Sequence, residues 1–155
     1  MLPDLSGLIG ALARSRIRFV VIGGVAVAAH GYIRATQDLD IVPDPDRANL
    51  DELGNVLITL DARLSADRDR GIDPELRQAL YARRNLTLTT ALGDLDVVQQ
   101  LNGVPPWSEL ATEAKETSIG GSPLLVCSRR HLIAMKRARA SLQDQADIAA
   151  LEDGK

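Results

Sequence analysis

Asp38 and Asp40 stand two residues apart in the run Asp38-Leu39-Asp40-Ile41-Val42, which alternates with period two and stops at Pro43-Asp44-Pro45. This pattern predicts a strand with both carboxylates on one face and Leu39 and Ile41 on the other. Like charges on one face repel, so the pair is costly unless it is solvated or bridged by a cation. Two Mg²⁺ ions about 4 Å apart, held by carboxylates, are an arrangement used for phosphoryl and nucleotidyl transfer. Asp96 offers a further oxygen ligand from a second predicted strand, Leu95 to Leu101, where Leu95 and Val97 face away from it. Asp94 has the same parity but falls at the edge of the predicted hairpin. An Asp-x-Asp alone also suits a turn or an exposed strand edge, so the pair gains meaning only from its surroundings.

Gly23-Gly24 follows an apolar, β-branched run, Ile17 to Ile22, and precedes a small apolar segment that stops at Gly31. The order predicted is strand, Gly-Gly turn, short helix. Such glycines permit a tight turn, and they also let a phosphate approach backbone N–H groups at a helix N-terminus. Neither G-x-G-x-x-G nor G-x-x-x-x-G-K-[ST] is present, so a dinucleotide fold and a P-loop are both unsupported.

The elements that must position these residues follow from periodicity. Leu5, Leu8, Ile9, Leu12 and Ala13 predict an amphipathic helix over 4–15, and Leu50, Leu53, Val56, Leu57 and Leu60 predict another over 46–60. Residues 61–73 are polar and read as a loop. A short helix is predicted over 74–82 and strands over 85–91 and 95–101, joined by a tight turn at Leu92-Gly93-Asp94. Residues 108–115 are weakly helical and 124–127 form a small strand. Ser128 caps a helix reaching about Ala140, and a last helix covers 144–151. The fold class is α/β: a short mixed sheet flanked by helices, with a small helical segment over 128–151.

A chain of 155 residues is expected to form one domain, with a core over about 4–127. Hydrophobic residues at 45% and charged residues at 25% are those of a globular protein and exclude a disordered tract. Eighteen Lys and Arg against 21 Asp and Glu leave a net charge of -3, too little of either sign for a whole-protein nucleic-acid or anionic-lipid surface. The single cysteine, Cys127, excludes an internal disulfide framework and a multi-cysteine zinc site and fits a reducing cytoplasm. No apolar stretch reaches the ~20 residues of a membrane helix. The N-terminus lacks a basic region ahead of an apolar core, so no secretory signal is read. Residues 37–75 are acidic, whereas Arg129, Arg130, Lys136, Arg137 and Arg139 form a basic run, and a charge run is ordinarily a solvated face.

Taken together, Gly23-Gly24, Arg34, Thr36, Asp38 and Asp40 in GGVAVAAHGYIRATQDLDI, with Asp96 in GDLDVV, resemble the signature of the DNA polymerase β-like nucleotidyltransferase superfamily. Within it the chain is most similar to the AbiEii-type bacterial nucleotidyltransferases, which include abortive-infection and toxin–antitoxin members. The C-terminal SRRHLIAMKRARASLQDQADIAAL is similar to that family's closing pattern, a Lys followed by two Asp three residues apart: here Lys136, Asp144 and Asp147. Two departures stand out. Many superfamily members have Gly-Ser in place of Gly23-Gly24, and related chains carry a basic residue where this one has Gln143.

The resemblance implies that Asp38, Asp40 and Asp96 hold two Mg²⁺ ions and that Asp96 assists the acceptor hydroxyl. Gly23 and Gly24 would cradle the phosphates of an NTP, with Lys136 and Arg34 neutralising charge, Thr36 ordering or contacting the phosphates, and Asp144 contacting substrate, capping its helix or pairing with Lys136. The acceptor would be a tRNA end or a protein, with an antitoxin as partner; the alternatives are a small antibiotic-type acceptor or a non-catalytic domain of the same fold. Outside this set, His30 and His131 read as packing or surface residues without metal spacing, Cys127 and Trp107 as core, and Arg83-Arg84 as a solvated strand start. Four aromatics in all argue against a base-stacking platform.

Overall fold

Four fully buried aliphatic side chains, two leucines, an isoleucine and a valine, on two neighbouring strands anchor the sheet that carries the acidic residues. The computed structural model describes residues 3–32 and 36–153. In chain order the elements are α1 (Pro3–Ala13), β1 (Phe19–Ile22), α2 (Gly23–Ala29), β2 (Asp38–Pro43), α3 (Arg47–Thr59), β3 (Arg63–Leu64), β4 (Asp67–Gly71) and α4 (Pro74–Tyr81). They continue with β5 (Leu86–Thr90), β6 (Gly93–Val97), α5 (Trp107–Glu113), β7 (Lys115–Ile119), β8 (Ser122–Val126), α6 (Arg129–Arg139) and α7 (Leu142–Asp153). The strands form one mixed sheet of order β4-β3-β5-β6-β2-β1-β8-β7. At its centre β2 runs antiparallel to β1 and parallel to β6. Leu39, Ile41, Leu95 and Val97 are sealed from solvent on one face of β2 and β6, which leaves the alternate positions to the opposite face.

The predicted apolar stripes are the buried ones. Leu5, Leu8, Ile9 and Leu12 of α1 and Leu50, Leu53 and Leu57 of α3 join a single core. Local chemistry sets the helix starts. Asp73 accepts a hydrogen bond from the Leu76 N–H at 2.8 Å with Pro74 behind it, and Ser128 accepts one from the His131 N–H at 3.1 Å.

The sheet is larger than the sequence predicts. The polar stretch 61–73, expected as a loop, contains β3 and the edge strand β4. The sequence of β4, Asp-Arg-Asp-Arg-Gly, has no apolar alternation because its pairing rests on backbone bonds to β3, and its charges protect an exposed edge. The opposite edge, β7, is also unpredicted. Its Lys-Glu-Thr-Ser-Ile sequence is mostly exposed and pairs with β8 through the turn at Gly120-Gly121. The hairpin between β5 and β6 turns at Ala91-Leu92, earlier than expected, because Thr90 pairs with Gly93. Strand β6 stops at Val97, not Leu101; the N–H groups of Gln99 and Gln100 both donate to the Asn85 Oδ1 instead, at 2.7 and 2.9 Å.

Candidate active site

The register of two parallel strands brings the acidic residues together. Asp38 lies opposite Asp94 and Asp40 opposite Asp96, so four carboxylates share one face of β2 and β6. Asp38, Asp40 and Asp96 line a cleft of about 640 Å³, and Asp94 remains exposed outside its lining. Burial, then the neighbouring Asp96, then Asp38 push the Asp40 carboxyl up to about 7. Asp38 is also raised, by burial first and then by Asp96 and Asp94. Asp40 Oδ1 is buried and receives no hydrogen bond. An unpaired buried acceptor costs about 1–3 kcal/mol, and a cation between Asp40 and Asp96 would relieve both that cost and the repulsion. The oxygen-only donor set suits a hard cation such as Mg²⁺.

Gly23 makes this arrangement sterically feasible. It opens α2 immediately after β1 with φ +72°, and a Cβ built on it would stand 2.0 Å from Asp40 Oδ2. Gly24, buried in the first turn of the same helix, also lines the cleft. Thr36 lines it too, and its hydroxyl donates to the Asp38 carbonyl at 3.3 Å, fixing the entry to β2. Arg34 lies outside the described residues.

Helices α6 and α7 supply the opposite wall. Lys136 lines the cleft but is only 5% exposed; its Nζ lies 3.0 Å from Asp147 Oδ2 and 3.4 Å from Asp144 Oδ1, and both aspartates are fully buried. Asp144 is a hub. It accepts from Arg139 Nε and Nη2 at 2.7 and 2.8 Å and from the Ser141 N–H and hydroxyl at 3.0 and 2.7 Å, while its own N–H donates back to Ser141 Oγ at 3.0 Å. Ser141 and Asp144 thus form a reciprocal cap at the start of α7. The Arg139 and Ser141 bonds, with Arg139's charge, outweigh burial and hold the Asp144 carboxyl far below its usual range. The cap and the pairing with Lys136, two of the roles open for Asp144 from sequence, are both present.

The cleft therefore gathers Asp38, Asp40, Asp96, Gly23, Gly24, Thr36, Lys136 and Asp144. It also includes residues the sequence did not assign to the site: Arg139 and Gln143 on the helical side, Asn85, Thr87 and Leu101 on the side of β5 and β6. Arg139 was hidden in a basic run; its bidentate pairing is a tertiary fact that no spacing encodes.

A second polar cluster joins α5 to α6. His131 is buried, with Nε2 3.0 Å from Glu109 Oε2 and 3.5 Å from Glu113 Oε2, a grouping within reach of a metal ion. The Arg130 guanidinium bonds both carboxylate oxygens of Glu113 and brings Nη2 to 3.0 Å from His131 Nε2, so positive charge already stands there. His30 Nε2 meets the Cys127 carbonyl at 2.8 Å and ties α2 to the end of β8. Cys127 is buried, which pushes its thiol up to about 12. Trp107 packs against the core.

No protein-family model and no curated protein matches the sequence. The fold is matched by solved structures. A lincosamide antibiotic adenylyltransferase, LnuA, in its lincomycin-bound crystal form, aligns with TM-score 0.67 and 14% identity over 100% of this chain and 98% of its own. An antigenic nucleotidyltransferase-like protein from Paracoccidioides brasiliensis aligns with TM-score 0.61 and 18% identity over 96% of this chain and 75% of its own. The antibiotic-resistance factor ANT(2'')-Ia, in solution, gives TM-score 0.59 and 17% identity over 95% and 79%. The chain has the nucleotidyltransferase fold. No helix among the described residues is long and apolar enough to cross a membrane.

Proposed function

We propose that this chain is a Mg²⁺-dependent nucleotidyltransferase that moves a nucleoside monophosphate from an NTP onto a hydroxyl acceptor. The observation that carries the reading is the Asp40 carboxylate, seated where Gly23 lacks a side chain, facing Asp96 and beside Asp38, with a buried oxygen that no donor satisfies. Asp38, Asp40 and Asp96 would hold the metal. When bound, Mg²⁺ neutralises the phosphates and acidifies the acceptor hydroxyl.

The chain's own residues supply the rest. Gly23 and Gly24 leave the backbone open to the phosphates, and Lys136 lends positive potential from beneath the cleft wall, with Asp144 and Asp147 fixing its place. The resemblance assigns Arg34 to neutralising the phosphates, and Thr36 keeps the entry to β2 in place. The acceptor oxygen bonds to the α-phosphorus, the bond to the β-phosphate oxygen breaks, and pyrophosphate leaves. Asp96, half-buried at the cleft, takes the proton from the acceptor hydroxyl.

The acceptor we favour is a tRNA end or a protein hydroxyl, as the AbiEii-like motifs imply, which makes the chain a candidate toxin with an antitoxin partner in the cytoplasm. A small-molecule acceptor is the second reading. It is favoured by the match to LnuA, a lincosamide adenylyltransferase, over essentially the full length of both chains. The test is to incubate the protein and Mg²⁺ with each NTP, labelled at either the α- or the γ-phosphate, in cell extract, and to separate tRNA, protein and small molecules. Beyond what the extract gives without the protein, nucleotidyl transfer places α-label but no γ-label in tRNA, in protein, or in a new small-molecule product other than the NTP and pyrophosphate. Transfer of γ-label would make the chain a kinase, and no labelling with any NTP, together with no NTP binding, would leave a non-catalytic domain of this fold.

A further inference from the structure

Arg139 brings to the cleft a guanidinium that the sequence motifs do not name. It closes α6, its side chain is 61% exposed, and it lines the cleft beside Gln143 and Asp144. Its Nε and Nη2 donate to the two oxygens of Asp144. Asp144 is itself held from behind by Ser141, so the plane of the guanidinium is fixed. Nη1 donates to no described residue. Arg139 lines the same cleft as Asp38, Asp40 and Asp96. Lys136 differs in exposure, being buried beneath the cleft wall and already held by Asp144 and Asp147.

We propose that Arg139 binds the triphosphate of the incoming nucleotide through its open edge, with Asp144 as the residue that orients it. The inference rests on the nucleotidyltransferase reading and adds a phosphate ligand to it. A guanidinium pinned by two parallel bonds presents its remaining N–H groups in one plane, which suits phosphate oxygens and loses little side-chain entropy on binding. A lysine at the same place keeps the charge but cannot make the paired contact with Asp144.

The test is calorimetric titration of the full chain with magnesium tripolyphosphate, an inorganic probe independent of base identity, and with each NTP and Mg²⁺. The variants are Arg139→Ala, Arg139→Lys and, as a control for charge on the same helix, Arg137→Ala, whose native partner is the exposed Glu152. Arg139→Ala should weaken tripolyphosphate and NTP binding about tenfold or more. Arg139→Lys should recover only a small part of that loss, and Arg137→Ala should bind as the unsubstituted protein does. In turnover, KM for the NTP should rise more than kcat falls. Undiminished binding by Arg139→Ala, full recovery by Arg139→Lys, or an equal loss in Arg137→Ala would each overturn the proposal while leaving the transferase reading intact. If Arg139→Ala does not fold, the lysine variant decides alone. Absence of both NTP and tripolyphosphate binding in the unsubstituted protein would overturn both readings.

Discussion

Gly23 and Asp40 occupy one volume: the position a Cβ would take on Gly23 lies 2.0 Å from Asp40 Oδ2 and 2.9 Å from its Cγ. The glycine is required twice over, because its φ of +72° is also a conformation that L side chains rarely adopt. Backbone conformation and the placement of the Asp40 carboxylate are coupled at the junction of β1 and α2.

Gly23→Ala should therefore displace the Asp40 carboxylate and strain the turn. Thermal unfolding should show a loss of about 1–3 kcal/mol, and Mg²⁺ should no longer raise the midpoint. An alanine variant with unchanged Mg²⁺ stabilisation would mean that the carboxylate has somewhere else to go.

The Asp40 carboxyl, pushed up to about 7, sets a pH dependence. Its folded value lies above the 3.8 of the unfolded chain, so its contribution to stability is full below that value and is lost as pH rises through about 7. Asp38 acts in the same sense. Asp144, Asp44, Asp73 and Glu113 shift downward, and their contributions are lost only as pH falls below the ordinary carboxylate range. Between pH 5 and 8 the Asp40 trend should dominate among these groups: in chelator, the protein should be more stable at pH 5 than at pH 8 by on the order of 1–2 kcal/mol. Mg²⁺ should reverse the order by stabilising the pH 8 sample most, since protons compete for the same oxygens. Denaturant titrations at both pH values, with and without Mg²⁺, check both arms.

Lys136→Met should damage the fold as well as nucleotide binding. Removing the ammonium strands Asp144 and Asp147, both fully buried, and losing one partner of a buried ion pair costs about 3–5 kcal/mol. Urea unfolding measures it. A cost below about 1 kcal/mol would place the lysine in the substrate's service rather than the fold's.

Gly103 sets the loop after β6 against α6. With φ +85°, a Cβ there would lie 2.9 Å from the Ala138 Cβ, 3.0 Å from the Ala134 carbonyl oxygen and 3.1 Å from the Met135 Cα. Gly103→Ala should push the loop away from the helix that carries Lys136, destabilising by about 1–3 kcal/mol and shifting Leu101 at the cleft. Hydrogen exchange over 99–104 and 132–139 should rise in the variant; unchanged protection would contradict the packing.

Much of this frame was legible because hydrophobic burial leaves a period. Asp38-Leu39-Asp40-Ile41 announces its strand, and the stripes of α1 and α3 announce the faces that join the core. Edge strands leave no such mark. Both β4 and β7 are held by backbone bonds and expose charged or polar side chains, so nothing in their composition separates them from loops. The carboxylate pair was readable from parity, whereas the alignment of Asp40 with Asp96 depends on a parallel register between strands more than fifty residues apart. Lys136 and Asp144 were readable as a motif, yet the burial that ties them to each other, and the Arg139 fork, arise only when α7 folds back on α6.

Asp40→Asn decides whether the face of Asp38, Asp40 and Asp96 performs Mg²⁺-dependent nucleotidyl transfer. The substitution keeps the side chain's size and removes its charge, so the variant should fold with equal or higher stability in chelator, and that can be verified before the assay. With α-labelled NTP, Mg²⁺ and the acceptor fraction identified for the unsubstituted protein, transfer should fall by about three orders of magnitude or more. Transfer within a few-fold of the unsubstituted rate, from a folded Asp40→Asn protein, would mean that Asp40 holds no catalytic metal.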